Sequence, residues 1–234
     1  MKLQTIARRG TAAAAVLTLS FSLAACGSED DGGSDSAGDS GDTTSESSEP
    51  MAPSEDTEEG TGAAAGTFGE GCAAIPETGD GSFDAMVQDP VATAAGTNPV
   101  LKTLTAAVGS IEGLGDTLNQ APELTVFAPI DDPAFAEIPS QDLDALVAGG
   151  QKDGMESTLF TILANHVLPT NDDPMAVVGE KTTLAEGSLT VEGDETGMTV
   201  TDGTVTANVL CGNIQTANAT VYVIDKVMTG IAAG

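Results

Sequence analysis

The sequence is poor in the side chains that carry most protein chemistry. Its 234 residues include no Trp, one Tyr, one His, three Cys, and only 7 Lys and Arg against 36 Asp and Glu. The single histidine, His166, has no matched Ser, Cys or carboxylate, so no nucleophilic triad is legible. No His or Cys stands near enough to another in sequence to suggest a zinc site. The carboxylates lack EF-hand spacing. The chain therefore reads as a non-enzyme with no metal and no other cofactor. Three of the basic residues, Lys2, Arg8 and Arg9, lie at the extreme N-terminus, which leaves only Lys102, Lys152, Lys181 and Lys226. With a formal net charge of -29, binding to nucleic acid or to anionic lipid head groups is disfavoured by long-range repulsion. The acidity fits a saline habitat or colloidal repulsion at a cell surface, and says nothing of fold. No internal repeat is visible, so a single module is expected.

The N-terminus has a basic head, an apolar run from Ala12 to Leu23, and small residues before Cys26, which are the parts of a secretory signal. The run is too short to span a bilayer comfortably, which takes about 20 residues. Leu23-Ala24-Ala25-Cys26 resembles a bacterial lipobox. That resemblance implies cleavage before Cys26 and acylation there, with the membrane as partner through the lipid. The alternative is an ordinary secretory signal with an incidental Cys. Residues 27 to about 70 are Gly, Ser, Asp, Glu and Thr with almost nothing to bury. Such a stretch is expected to stay without fixed structure and to act as a self-repelling tether. A metal-binding acidic tail is the other reading. The expected organisation is a lipoprotein signal at 1–25, lipidated Cys26 and acidic tether at 26–70, and one folded domain at 71–234. That last stretch is long enough for a real core.

If Cys26 carries lipid, Cys72 and Cys211 remain as an even pair in an exported domain, and a disulfide is the economical reading. It would close a loop of more than a hundred residues, for which chain-entropy models give about 4–5 kcal/mol. Two free thiols, or a metal pair, is the alternative.

Along the domain, Asp89-Pro90 opens a short Ala-rich helix ending near Gly96, and Asn98-Pro99 starts a second with Pro99 at its first position. Val100, Leu101, Leu104 and Val108 form its apolar stripe, and Leu114 and Leu118 mark a further short helix. Leu124 to Ala128 is a strand stopped by Pro129. Asp132 is placed to cap a Pro-led turn, and Ser140 opens a helix from Gln141 to Ala148 that Gly149-Gly150 should end. Met155 to Ala164 reads as a largely buried helix, His166 to Leu168 as extended, and Asp173-Pro174 as a capped helical turn. Beyond Gly179 come short β-rich segments, at Thr182–Leu184, Leu189–Val191, Met198–Val200, Val205–Ala207 and Val221–Ile224. Helices first and hairpins after give an α+β class.

Two segments carry a family resemblance. Thr125-Val126-Phe127-Ala128-Pro129 with Phe135, and Val221 to Val227, resemble the two signature boxes of the fasciclin-like domain, with His166-Val167 between them. The likeness runs from about Gly71 to Met228. Gly71-Cys72-Ala73, Gln88 to Ala92, Thr103 to Ala107, Cys211-Gly212 and Thr216 to Tyr222 are similar to the secreted immunogenic fasciclin-like proteins of mycobacteria. The resemblance implies a fasciclin-like fold, with N-terminal helices packed on a β-sandwich or wedge of short strands, and it supports pairing Cys72 with Cys211. The chain departs from the family pattern at three places. Ile130 stands where Thr or Ser is common, and Asn165-His166 where Tyr-His is common. Asn213-Ile214 stands where animal members carry an Asp-Ile step tied to integrin binding, so that mechanism does not carry over.

The candidate interaction residues are His166, Asn213, Ile214, Tyr222 and Asp225. Each also has a structural reading. His166 would pack at a strand start, Asp225 would accept hydrogen bonds from a turn or pair with Lys226, and Tyr222 would join the core with its phenol reaching the surface. Asp131-Asp132 and Asp172-Asp173 each precede a Pro-led turn and read as caps. Asn218-Ala219-Thr220 fits a glycosylation sequon by chance. The expected function is a lipid-anchored surface protein that binds another protein or a surface polymer, in adhesion or recognition. The second expectation is a carrier of a small apolar ligand, with the domain's Val, Leu and Met residues lining a groove.

Overall fold

The computed structural model describes residues 62–230. The signal segment, Cys26 and the sequence up to residue 61 lie outside the described residues. Four short helices come first: α1 (Phe83–Met86), α2 (Val91–Thr97), α3 (Lys102–Gly109) and α4 (Leu114–Gln120). Strand β1 (Leu124–Pro129) follows, then α5 (Ser140–Asp153), α6 (Thr158–Asn165) and the two-residue β2 (Val167–Leu168). Five strands complete the fold: β3 (Gly179–Thr182), β4 (Ser188–Asp194), β5 (Gly197–Thr201), β6 (Thr206–Gln215) and β7 (Ala219–Ile224). They form one mixed seven-stranded sheet in the order β2-β1-β7-β6-β5-β4-β3.

The two signature segments, remote in sequence, are neighbours in space. β1 and β7 pair in parallel, with Phe127 opposite Tyr222. Parallel strands need a long crossover connection, and here helices, hairpins and β6 all lie between the two. β6 pairs with β5 through Thr206 to Asn208 and with β7 through Val209 to Gln215. Register shifts between Val209 and Cys211, and between Cys211 and Ile214, break its ladder. Bulges bend a strand and increase its twist, so β6 turns one half of the sheet towards the other. The sheet nearly closes, because Leu184 N–H, just past β3, donates to the Val167 carbonyl of β2 at 2.8 Å.

Closure leaves β7 with no solvent face, and all six of its residues are buried. Its side chains still alternate. Val221 and Val223 join Leu124, Ala128 and Leu104 in a core against the helices. Tyr222 and Ile224 join Phe127, Leu189, Val191, Met198 and Val200 in a second core enclosed by strands.

Several boundaries differ from the sequence expectation, each for a local reason. α3 begins at Lys102 rather than at Pro99, because Asn98 to Leu101 closes a turn. Its first N–H groups are capped from a distance, by the Asp131 carboxylate accepting from Lys102 N at 3.1 Å and Thr103 N at 2.8 Å. Asp131 thus caps α3 rather than the turn it precedes, while Asp132 has extended backbone and is exposed. α5 runs straight through Gly149-Gly150. A Cβ on Gly150 would lie 2.9 Å from Leu159 and Ser110, so that glycine serves close packing rather than a helix stop. The helix expected over Met155 to Ala164 is broken at Ser157, whose hydroxyl caps α6 by accepting from Phe160 N at 3.1 Å. β3 sits earlier than expected, and β6 continues well past Ala207.

The stretch 62–70, which composition groups with the tether, packs on the domain. Phe68 exchanges backbone hydrogen bonds with Gly212, and its ring centroid lies 6.4 Å from that of Tyr222. Gly212 must lack a side chain there, since a Cβ would fall 2.2 Å from the Phe68 ring. Asn213, held at φ 60, donates from Nδ2 to the Gly66 carbonyl at 2.9 Å. Cys72 is bonded to Cys211 across 139 residues.

Candidate functional site

The helix-facing side of β1 borders an apolar space. An apolar cavity of about 130 Å³ lies between α2, α3, α4, α6 and β1. Its floor includes Val126 and Val167, and its walls include Leu104, Leu114 and Leu163. Most of these are buried, but Thr117 and Leu184, which also line it, are exposed, with Leu184 at 45%. Those two residues mark the mouth. Two smaller voids of about 30 Å³ each adjoin the same helix layer and share Leu104 as a wall.

His166 lines the cavity and is buried. Its Nδ1 lies 2.7 Å from the Ile162 carbonyl at the end of α6. Its Nε2 accepts from Met228 N–H at 3.0 Å. A carbonyl can only accept and a backbone N–H can only donate, so the ring is neutral with its proton on Nδ1. Burial lowers its pKa, against the opposing pull of the Ile162 carbonyl and the Asp202 carboxylate. His166 thus clamps the segment after β7 onto α6, with no nitrogen left over for a substrate.

The other sequence candidates are also held by the fold. Tyr222 is fully buried, and its hydroxyl donates to the Asp172 carbonyl at 3.0 Å, so the expected reach to the surface does not occur. Burial pushes its phenol pKa up, helped by Asp173 and Asp172. Ile214 is a core residue at 2% exposure. His166, Ile214 and Tyr222 are therefore not free to meet a partner. Asn213 and Asp225 are half-buried. Asn213 holds the 62–70 stretch, and Asp225 accepts from Asn208 N at 2.7 Å and Asn208 Nδ2 at 2.6 Å. Asp225 therefore joins β6 to the end of β7 and does not pair with Lys226. Of the paired acids, Asp173 caps its own turn through Met175 N and Ala176 N, and Asp172 forms an ion pair with Lys181 at 2.8 Å.

Sequence reasoning missed two structural hubs. Asn218, read as a chance sequon, accepts from Val91 N at 2.9 Å and donates to the Leu118 and Ala121 carbonyls. It caps the start of α2 and the end of α4 together. Asp202 is buried at 3% and accepts from Thr204, Val205 and Gly230. Burial pushes its carboxyl up, but those hydrogen bonds outweigh it and hold the pKa below the ordinary value. The sequon offered a signal for Asn218, under the wrong heading, and Asp202-Gly203 offered only a turn.

Among the described residues no cluster of three or more His, Cys, Asp or Glu could hold a metal. No helix among them is long and apolar enough to cross a membrane. Residues 99–230 match the model of the fasciclin domain family. The chain belongs to the fasciclin family. It is 43% identical over 174 residues to the immunogenic protein MPB70 of Mycobacterium bovis, covering 71% of this chain and 84% of that protein. It is 41% identical over 172 residues to the cell surface glycolipoprotein MPT83 of Mycobacterium tuberculosis, covering 70% and 73%. A solved FAS1 domain pair from the insect cell adhesion molecule fasciclin I aligns at a TM-score of 0.49 and 16% identity, over 61% of this chain and 51% of that one.

Within this fasciclin domain the two family segments are the central parallel strands, and His166 ties them to the helix layer through Phe127 N–H donating to its own carbonyl. The geometry offers no free nucleophile at the cavity. It offers apolar enclosure with an open side.

Proposed function

We propose that this is an exported, non-enzymatic surface protein, anchored through lipid on Cys26 and presenting its fasciclin domain on an acidic tether. There it binds another protein or a surface polymer. The observation behind the non-enzymatic reading is that the polar groups the sequence offered for chemistry are spent on the fold. His166 engages two backbone groups, Tyr222 and Asp173 engage backbone, and Asp225 engages Asn208. The similarity to a mycobacterial cell surface glycolipoprotein supports the location. Binding to a partner then falls to surface outside His166, Ile214 and Tyr222. Mass spectrometry of the protein from its native membrane tests the anchor, with an acyl adduct on Cys26 expected. Pull-downs from its own envelope and from neighbouring cells test the binding role, and empty pull-downs would defeat it.

A second reading, a carrier of a small apolar molecule, is favoured by the cavity between the helices and β1. Native mass spectrometry tests it. A co-purifying apolar mass is expected, and a clean apo mass from freshly prepared membrane counts against it.

A further inference from the structure

The cavity has a property that restricts what can enter it. Its polar side chains are Thr105, Thr117 and His166. Thr105 Oγ1 donates to the Leu101 carbonyl at 2.8 Å, and Thr117 Oγ1 donates to the Gly113 carbonyl at 2.8 Å. Both His166 nitrogens are engaged with backbone. A ligand acceptor would lose its water there and find no free donor among these side chains, at a cost of about 1–3 kcal/mol or more.

Size sets the second restriction. A cavity of about 130 Å³ is close to the roughly 150 Å³ apolar cavity that stays dry and accepts benzene or xenon. It has room for the end of a hydrocarbon chain and not for a whole lipid. The exposure gradient sets the third. Leu104, Leu114 and Val167 lie deep, at 8%, 5% and 6%, whereas Thr117 and Leu184 at the mouth are exposed. The mouth is bordered by an apolar side chain, Leu184, which would otherwise face water.

We propose that the cavity between α2, α3, α4, α6 and β1 is a binding site for the methyl end of a single hydrocarbon chain, with any polar head left outside the mouth beside Thr117 and Leu184. The inference rests on the carrier reading and adds to it the site, the orientation and the indifference to the head group. The chain end displaces no ordered polar contact, and its burial removes apolar surface from water on both partners.

The test uses the full mature protein and decanol isotope-labelled at its terminal methyl, followed by NMR. The expected result is contact between that methyl and Val126, Leu163 or Val167. Binding should weaken by about tenfold or more in Ala95→Leu, which puts a side chain into the cavity. A folded Ala95→Leu should also be at least as stable as the parent, since it fills a void. Leu184→Asp at the exposed mouth should weaken binding without altering the fold, while Met175→Ala, at an exposed position outside the cavity lining, should change nothing. Decanol bound elsewhere, or bound equally by Ala95→Leu and Leu184→Asp, would overturn the site and leave the carrier reading standing. No decanol binding by the parent would overturn both.

Discussion

The two faces of the central β1–β7 pair are built from adjacent residues yet pack differently. On the strand-facing side, Phe127 and Tyr222 lie opposite each other with ring centroids 5.6 Å apart, and Leu189, Val200 and Ile224 around them are at 0% exposure. On the helix-facing side the residues are smaller, with Val126, Ala128, Val221 and Val223, and a cavity and two lesser voids lie above them. Phe127 and Tyr222, with Phe68 beside them, hold strand to strand, while Phe83, Phe135 and Phe160 pack among the helices. Short helices, with remote caps from Asp131, Asn119 and Asn218, cover the other side. One face is fully buried around its aromatic pair, and the other holds an apolar cavity.

The strongest way to break this arrangement is to cut the covalent tie between the start of the domain and β6. Reducing or replacing the Cys72–Cys211 bond frees a loop of 139 residues and should cost about 5 kcal/mol. Denaturant unfolding with and without reductant measures it. Because Cys211 packs in the helix-side core, amide exchange should accelerate first in α1 to α3. A loss below about 1 kcal/mol would mean that the bond does not stabilise the domain by loop closure.

One substitution made on each side sharpens the comparison. Leu189→Ala, in the sealed core, should cost about 4 kcal/mol, and Leu104→Ala, whose side chain already borders voids, about 2–3 kcal/mol. Equal losses in chemical denaturation would mean that the faces are packed alike. Asn218→Ala removes the caps of α2 and α4 and leaves the Leu118 and Ala121 carbonyls without that partner, so about 2–3 kcal/mol should go from the helix side alone.

The smallest effect is set by pH. Burial holds the His166 pKa below the ordinary 6.5, so the unfolded chain takes up a proton before the native one does. Its contribution is complete above 6.5 and is lost as pH falls below that value, by up to about 1.4 kcal/mol per unit, until the buried ring itself protonates. Stability measured from pH 7.5 to 5 should fall with this slope, and the His166 part of it should be absent in His166→Gln. An unchanged slope in that variant would assign the acid sensitivity to the carboxylates.

The sequence showed the parts of the fold that depend on local pattern. The two apolar strands at Leu124–Pro129 and Ala219–Ile224, the Pro-led turns and the change from helices to hairpins are all readable from composition and spacing. Their parallel pairing is not, because register between remote strands leaves no local trace. β6 was only glimpsed at Val205–Ala207, since its bulges and Asn213 at φ 60 disrupt the two-residue alternation that would mark a strand of ten. Gly149-Gly150 misled for a related reason, as Gly150 answers to Leu159 and Ile111 across a helix contact. The cavity was legible only as a surplus of Val and Leu. Its existence depends on how helices settle over small residues on β1, which no single segment records.

The most direct test of the contrast between the faces is a crystal of the mature protein exposed to xenon under pressure. Xenon bound between α2, α4, α6 and β1, with none among Leu189, Val200 and Tyr222, is the result expected. Xenon in the strand-side core, or in neither place, would contradict it.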